Sequence, residues 1–296
     1  MTRRQILLAL LPPLCFGTGF TIAKPAMAHF PPLFTMLMIY GGIAIALTLS
    51  HGRKLQTPWA SVMMISAFAV TIQGALLFWG LQGVPATAAN LILQIQVPIA
   101  VLLDWLINRE KLDARKVAGT ALAIGGVIIV IGLPDEPPGV VPTLLIVSGA
   151  FCWALGQALA RKLGRDDGIG LLKANAYGSV PQLILCTAIL ETGQMTAVQS
   201  AGPLEWSMLA FVGVVGFYLA YMCWFTLLKT CRMDEVAPFI LLMPVVGILT
   251  AFFALDETIS LVQIFGGVVI LAGLAVVSGV GSANKKKGRV VDTASA

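Results

Sequence analysis

The chain is almost continuous in apolar positions, broken only at short clusters of charge, proline and glycine. Those breaks predict ten helices, near 6–24, 33–50, 60–81, 86–107, 117–133, 142–160, 170–190, 206–228, 236–254 and 261–280. A helix needs roughly 20 mostly apolar residues to cross the hydrocarbon core of a bilayer, and most of these segments are close to that length. From Leu55 to Leu103 run 49 residues without a single Asp, Glu, Lys or Arg, which alone is room for two spans. The connections are too short for a second, soluble domain. Beyond Gly281 the polar tail at 282–296 is expected to be disordered and basic.

Composition makes the class definite. Of 296 residues, 58% are apolar and 11% charged, with a mean hydropathy of +0.90. About a quarter charged is usual for a soluble domain, so a water-facing surface is excluded and an all-α integral membrane protein is expected. Placing the N-terminus in the cytoplasm puts 18 of the 19 Lys and Arg residues on that face, and the C-terminus with them. The opposite face is acidic, which is the positive-inside pattern. The net charge of +5 therefore reports topology and contact with membrane lipids rather than nucleic acid. A basic start, an apolar run and Ala26-Met27-Ala28 also fit a cleaved leader. We read the segment as the first span, because its sequence returns later in the chain.

That return carries most of the architecture. CFGTGFTIAK at 15–24 and CWALGQALARK at 152–162 align at an offset of 137, matching Cys15 with Cys152, Gly19 with Gly156 and Lys24 with Arg161. Further on, Glu110 matches Glu257, Gly119 matches Gly266 and Gly126 matches Gly273 at an offset of 147, while Pro98 matches Pro244 at 146. Each half then holds five spans. Five is odd, so the second half is upside down relative to the first, as in secondary transporters with inverted repeats. The expected units are 1–136 and 137–281.

The doubled phrase, the five-plus-five layout and the Pro…Glu…Gly…Gly endings resemble the drug/metabolite transporter superfamily, in particular its EamA family of ten-helix permeases. Within it the chain is most similar to bacterial exporters of aromatic and other neutral amino acids. The resemblance implies a multi-pass protein of the bacterial inner membrane, export to the periplasm, and a cavity lined by the first, third, fourth, sixth, eighth and ninth spans. Transport would need no more than a monomer; the oligomeric state is left open.

Candidate chemistry lies where polarity is costly. Pro98 and Pro244 sit about halfway along the fourth and ninth spans, where a freed carbonyl and a bend suit a hinge or merely shape packing. Gln73, Asn90, Gln94 and Gln157 offer amide donors and acceptors to a zwitterion, or else join helices; for Asn175 and Gln182 the joining role is the expected one. Trp79, Trp153, Tyr218, Tyr221 and Phe239 would wall a pocket for an apolar or aromatic side chain, or, for Trp79 near its span end, belong to an interfacial belt, with Gly19 and Gly156 facing each other across the path. Lys24 ends the first helix and meets either lipid, cargo or an outer acid as a gate. Asp104, the one carboxylate within a span, lies near the cytoplasmic end beside Arg109, so no mid-membrane acid is expected to carry coupling ions. The paired glycines of the fifth and tenth spans predict a close helix pair.

Other function classes find little support. Five cysteines without a CxxC, two histidines without an HExxH and no GxSxG leave no metal, cofactor or nucleophile, and no enzyme is expected. The favoured reading is a secondary transporter exporting small amphiphilic metabolites, neutral or aromatic amino acids above all, by alternating access. The alternative is a multidrug, quaternary-cation or nucleoside-type exporter of the same fold.

Overall fold

The computed structural model describes residues 3–50, 52, 54–109, 114–132, 139–230 and 239–278. The expected disordered tail, Glu110, Cys231 and the boundary between the two expected units lie outside those residues. Among them no strand occurs. The helices are α1 (Arg3–His29), α2 (Pro32–Ser50), α3 (Trp59–Gln82), α4 (Ala86–Asn108), α5 (Ala114–Gly132), α6 (Val140–Leu163) and α7 (Gly168–Leu190). A short α8 (Gln194–Ser200) follows. Then come α9 (Pro203–Phe211, Val212–Leu219 and Ala220–Thr230 end to end), α10 (Leu242–Leu255) and α11 (Leu261–Ser278).

Seven of the described helices are long and apolar enough to cross a membrane, and Leu242–Leu255 and Leu261–Val277 are shorter apolar helices. The exterior bears them out. Leu49, Phe253 and Leu261 are each more than three-quarters exposed, which suits lipid rather than water as the surrounding solvent. This is a multi-pass membrane protein.

Two of the predicted boundaries moved. The first helix does not stop at Lys24 but runs on to His29 through Pro25, with Pro12 and Pro13 also inside it. Proline in a membrane helix is tolerated where neighbouring helices satisfy the freed carbonyl groups, so it is a poorer stop signal here than in water. The stretch at 191–205, expected as loop, folds α8, which seats Ala197 in the core.

Packing falls into recurring sets. α1 lies against α9 and α10, while α6 lies against α3 and α4. α2 pairs with α7, and α5 with α11. The last pair is the close one anticipated from its glycines. A Cβ on Gly119 would stand 2.8 Å from the Gly273 carbonyl oxygen, and one on Gly273 would stand 2.5 Å from the Ala123 nitrogen. Side chains at these positions would force the helices apart, as expected of small residues at membrane interfaces.

α3 and α9 share an irregularity. Residues Ala67–Ile72 and Val212–Leu219 form π-helical turns inside otherwise α-helical spans. The glycines of the doubled phrase sit against them. A Cβ on Gly156 would lie 2.5 Å from the Ala69 nitrogen, and one on Gly19 would lie 2.4 Å from the Gly216 Cα. Gly19 and Gly156 therefore do not face each other; each closes a seam against its own π segment. Overpacking such a seam costs about 1–3 kcal/mol.

Candidate functional site

Several helices here begin at proline: α2 at Pro32, and α3 and α4 just after Pro58 and Pro85. Proline at a helix start fixes φ but brings no side-chain acceptor for the amides around it. Acids from elsewhere in the chain supply one. Glu191 accepts from the amides of Leu33 (2.7 Å) and Phe34 (3.0 Å) at the start of α2. Asp166 accepts from the amides of Gln56 (2.8 Å) and Thr57 (2.9 Å) and from the Thr57 hydroxyl (2.5 Å) just before α3. Glu257 accepts from the amides of Ala86 (2.7 Å) and Thr87 (2.9 Å) and from the Thr87 hydroxyl (3.0 Å) at the start of α4. An anion at a helix N-terminus also meets the positive end of the helix dipole.

Glu257 does one thing more. Its Oε1 is 2.9 Å from Lys24 Nζ, with Lys24 28% and Glu257 15% exposed. One carboxylate thereby ties α1, α4 and the exit of α10 together at a single end of the bundle. The backbone aims it there. Asp256 holds a left-handed conformation (φ 51°) that ends α10 and turns the chain, so that Glu257 follows across α4. Arg109 ends α4 in the same way (φ 55°). Asp is among the residues that tolerate this conformation better than most. Burial works to raise the Glu257 pKa, but the bonds from Lys24, Thr87 and Ala86 outweigh it and hold the carboxyl below the ordinary glutamate value. Asp166 is likewise lowered, its burial outweighed by the Thr57 hydroxyl and the Gln56 and Thr57 amides.

One turn deeper the same three helices meet again. Thr21 on α1 donates to the Gly247 carbonyl on α10 (3.1 Å), and Asn90 on α4 donates to Thr21 Oγ1 (3.2 Å) and to Ala86 O (2.8 Å). A Cβ on Gly247 would stand 2.4 Å from Asn90 Oδ1, so only glycine admits this approach. Gln94 Nε2 donates to Asn90 O at 3.2 Å. Asn90 and Gln94 are thus occupied within the protein.

Gln73 and Gln157 are not. The Gln73 side chain is buried, at 9% exposure, yet makes no hydrogen bond among the described residues. Nor is its amide sealed: the buried side-chain polar atoms cut off from both bond and solvent are Thr120 Oγ1 and Thr143 Oγ1. Gln73 is therefore a buried amide without a hydrogen bond among the described residues, just after the π segment of α3. Gln157, half-buried on α6, also makes no hydrogen bond among the described residues.

The aromatic residues divide. Tyr221 stands edge-on to Phe16 (4.9 Å between centroids) and stacks on Phe225 (5.9 Å), while Phe217 contacts Phe20 (5.6 Å) and Tyr40 (6.1 Å). These rings form one wall between α1, α2 and α9. Tyr218 and Trp79 pack half-buried against the main core, and Trp153 is half-buried on α6. Phe239 is not at the centre of the bundle; it packs with Leu8 and Trp224 beside Ala9 and Leu227, near the beginning of α1. Pro98 and Pro244 are both buried, and each follows a local break in its helix: a 3-10 turn at Leu93–Ile95 and a turn at Leu241. That is the place where proline frees a carbonyl.

At the other end of the bundle Asp104 does not pair with Arg109. It receives Arg161 Nη1 at 2.5 Å and Asn108 Nδ2 at 2.7 Å, and Arg161 is 53% exposed. Arg161 reaches it because α6 crosses α4 at that point, a contact between helices far apart in sequence. The acids at 166, 191 and 257 were missing from the site as read in the sequence. The available signal was a helix starting at proline without its own capping acceptor, together with acids in the short loops between spans. No group of three or more His, Cys, Asp or Glu residues able to hold a metal occurs among the described residues.

Comparison with known proteins agrees with this layout. The EamA-like transporter family matches the chain twice, over residues 3–132 and 141–279. A protein of Salmonella typhimurium called a probable amino-acid metabolite efflux pump is 30% identical, over 93% of this chain and 94% of its own. An Escherichia coli protein of the same description is 29% identical, again over 93% and 94%. A solved crystal structure shares the fold with a TM-score of 0.67 at 22% identity, covering 93% of this chain and 96% of that one. On two family matches that together span nearly the whole chain, the protein is a transporter and belongs to the EamA-like transporter family.

Proposed function

We propose that the protein exports small neutral or aromatic amino acids across the bacterial inner membrane by alternating access, with both termini in the cytoplasm. Ten spans form two inverted units, 1–136 and 137–281. The observation that carries this reading is the repeated packing: α1 on α9 and α10, α6 on α3 and α4, with a π segment and a facing glycine in each set. Two such sets, one inverted, suit a protein that opens first at one end and then at the other. In the present state the Lys24–Glu257 clamp closes the periplasmic end. Pro98 and Pro244 lie where the moving helices would bend.

Gln73 and Gln157 offer the cargo uncharged donors and acceptors, and the wall around Tyr221 offers an apolar face. The relatives described as amino-acid metabolite efflux pumps support the same cargo class. In proteoliposomes loaded with neutral and aromatic amino acids, counterflow should saturate. Gln73→Ala should raise KM about tenfold, corresponding to the loss of one buried hydrogen bond of roughly 1–1.5 kcal/mol. Saturable flux of organic cations without flux of amino acids would overturn the cargo; ohmic currents would overturn the mechanism.

A further inference from the structure

The π segment of α3, already seated against Gly156, is also bridged by one polar side chain. Gln182, on α7, donates from Nε2 to the Met63 carbonyl (2.9 Å) and to Ser66 Oγ (3.2 Å), and its Oε1 accepts from Thr71 Oγ1 (2.6 Å). Met63 and Ser66 immediately precede the π turns of Ala67–Ile72, and Thr71 lies near their end. One amide therefore spans the irregularity. A threonine in a helix usually turns its hydroxyl back to the carbonyl four residues earlier, and Thr71 instead gives it to Gln182. α7 comes close enough because Gly178 lies one turn from Gln182: a Cβ there would stand 2.3 Å from Ser66 Oγ.

The α9 segment is the internal contrast. Over Val212–Leu219 no side-chain hydrogen bond occurs among the described residues; the segment is held by Gly216 on Gly19 and by Phe217 against Phe20 and Tyr40. Apolar packing alone accommodates a π turn there. The polar lock on α3 is thus an addition, not a requirement of the turn.

We propose that Gln182 is a positioning residue that sets the rotation of α3 and so turns the buried Gln73 amide toward a water-reached space inside the bundle. Collapse of the π turns to α-helix would rotate everything after Ile72 by about one residue, ~100°, relative to the first half of the helix. Ile72, at present 40% exposed, would then take the direction Gln73 holds now. The inference rests on the transport reading only in naming that space the cargo path.

The test is the order of thiol labelling in Gln73→Cys and Ile72→Cys, each above the parent's own background, with a hydrophilic methanethiosulfonate in proteoliposomes. With Gln182 present the position-73 thiol should react faster. With Gln182→Leu the order should reverse, and with Thr71→Val the ratio should fall in the same direction. An unchanged order in folded Gln182→Leu overturns the proposal. Should that variant fail to fold, an unchanged ratio in Thr71→Val overturns it, and a reduced ratio upholds it. The transport kinetics provide a second readout: Gln182→Leu should raise KM as Gln73→Ala does, while an effect on kcat alone would mark Gln182 as mere packing. Labelling needs no cargo. If Gln73→Ala leaves flux intact but Gln182→Leu still reverses the labelling, the cargo-binding role of Gln73 fails and the positioning role stands.

Discussion

Lys24 and Arg161 occupy the same place in a phrase that the chain writes twice, yet the structure uses them differently. Lys24 reaches a carboxylate that arrives from the exit of α10 and already holds two amides and a hydroxyl at the start of α4. Its pair is mostly shielded. Arg161 meets Asp104, an acid on a neighbouring span, with its own side chain half in solvent. A shielded, charge-assisted cluster keeps most of its strength, while an exposed pair is screened and contributes little. The difference teaches that the doubled phrase ends on pairs of unequal shielding: Lys24 enters a part-buried cluster that joins three helices, and Arg161 a half-exposed pair.

The largest expected effect comes from removing the clamp's acid. Glu257→Ala leaves Lys24 half-buried without this partner and two amides uncapped, at about 2–3 kcal/mol. The Tm in detergent should fall, and the Lys24 end should become accessible to impermeant reagents. Acid should act in the same direction. Because the folded Glu257 carboxyl lies below its ordinary value, the clamp is fully present above that value. It is lost only as pH falls through the lowered one. Closure should therefore be flat from neutral pH down to the ordinary glutamate value, then fail as pH falls further, and Glu257→Gln should abolish that final step.

The smallest effect sharpens the contrast from the other side. Arg161→Met should change stability by only about 0–1 kcal/mol, as for an exposed pair, and should decrease further in effect at high salt. An Arg161→Met loss as large as that of Glu257→Ala would erase the distinction between the two pairs.

Much of this was legible in the sequence, for physical reasons. Apolar runs of span length announce membrane helices directly, and the glycines at 119, 126, 266 and 273 announced the α5–α11 seam because close backbone approach has few other solutions. Lys24 stood out as the one cation against the topology. Its partner did not, because pairing residue 24 with residue 257 depends on how α1 and α10 cross, and no local pattern encodes that. The π segments were invisible for a similar reason: VGVVGFYL and AFAVTI read as ordinary helix, and only contact with Gly19 and Gly156 marks them. Gln182 was legible as a joining residue, but what it joins was not. Asn90 was readable as polar and buried, while its occupation by Thr21 required three helices to be in place.

Alternating access requires that the two ends open in turn, never together. Spin labels across the Lys24 end, at positions 28 and 258, and across the Arg161 end, at positions 105 and 162, would report both distances in the same preparation of proteoliposomes. With saturating amino acid, the distance at the Lys24 end should lengthen in the population in which the distance at the Arg161 end shortens. Both ends lengthening together, or neither responding to cargo, would contradict it.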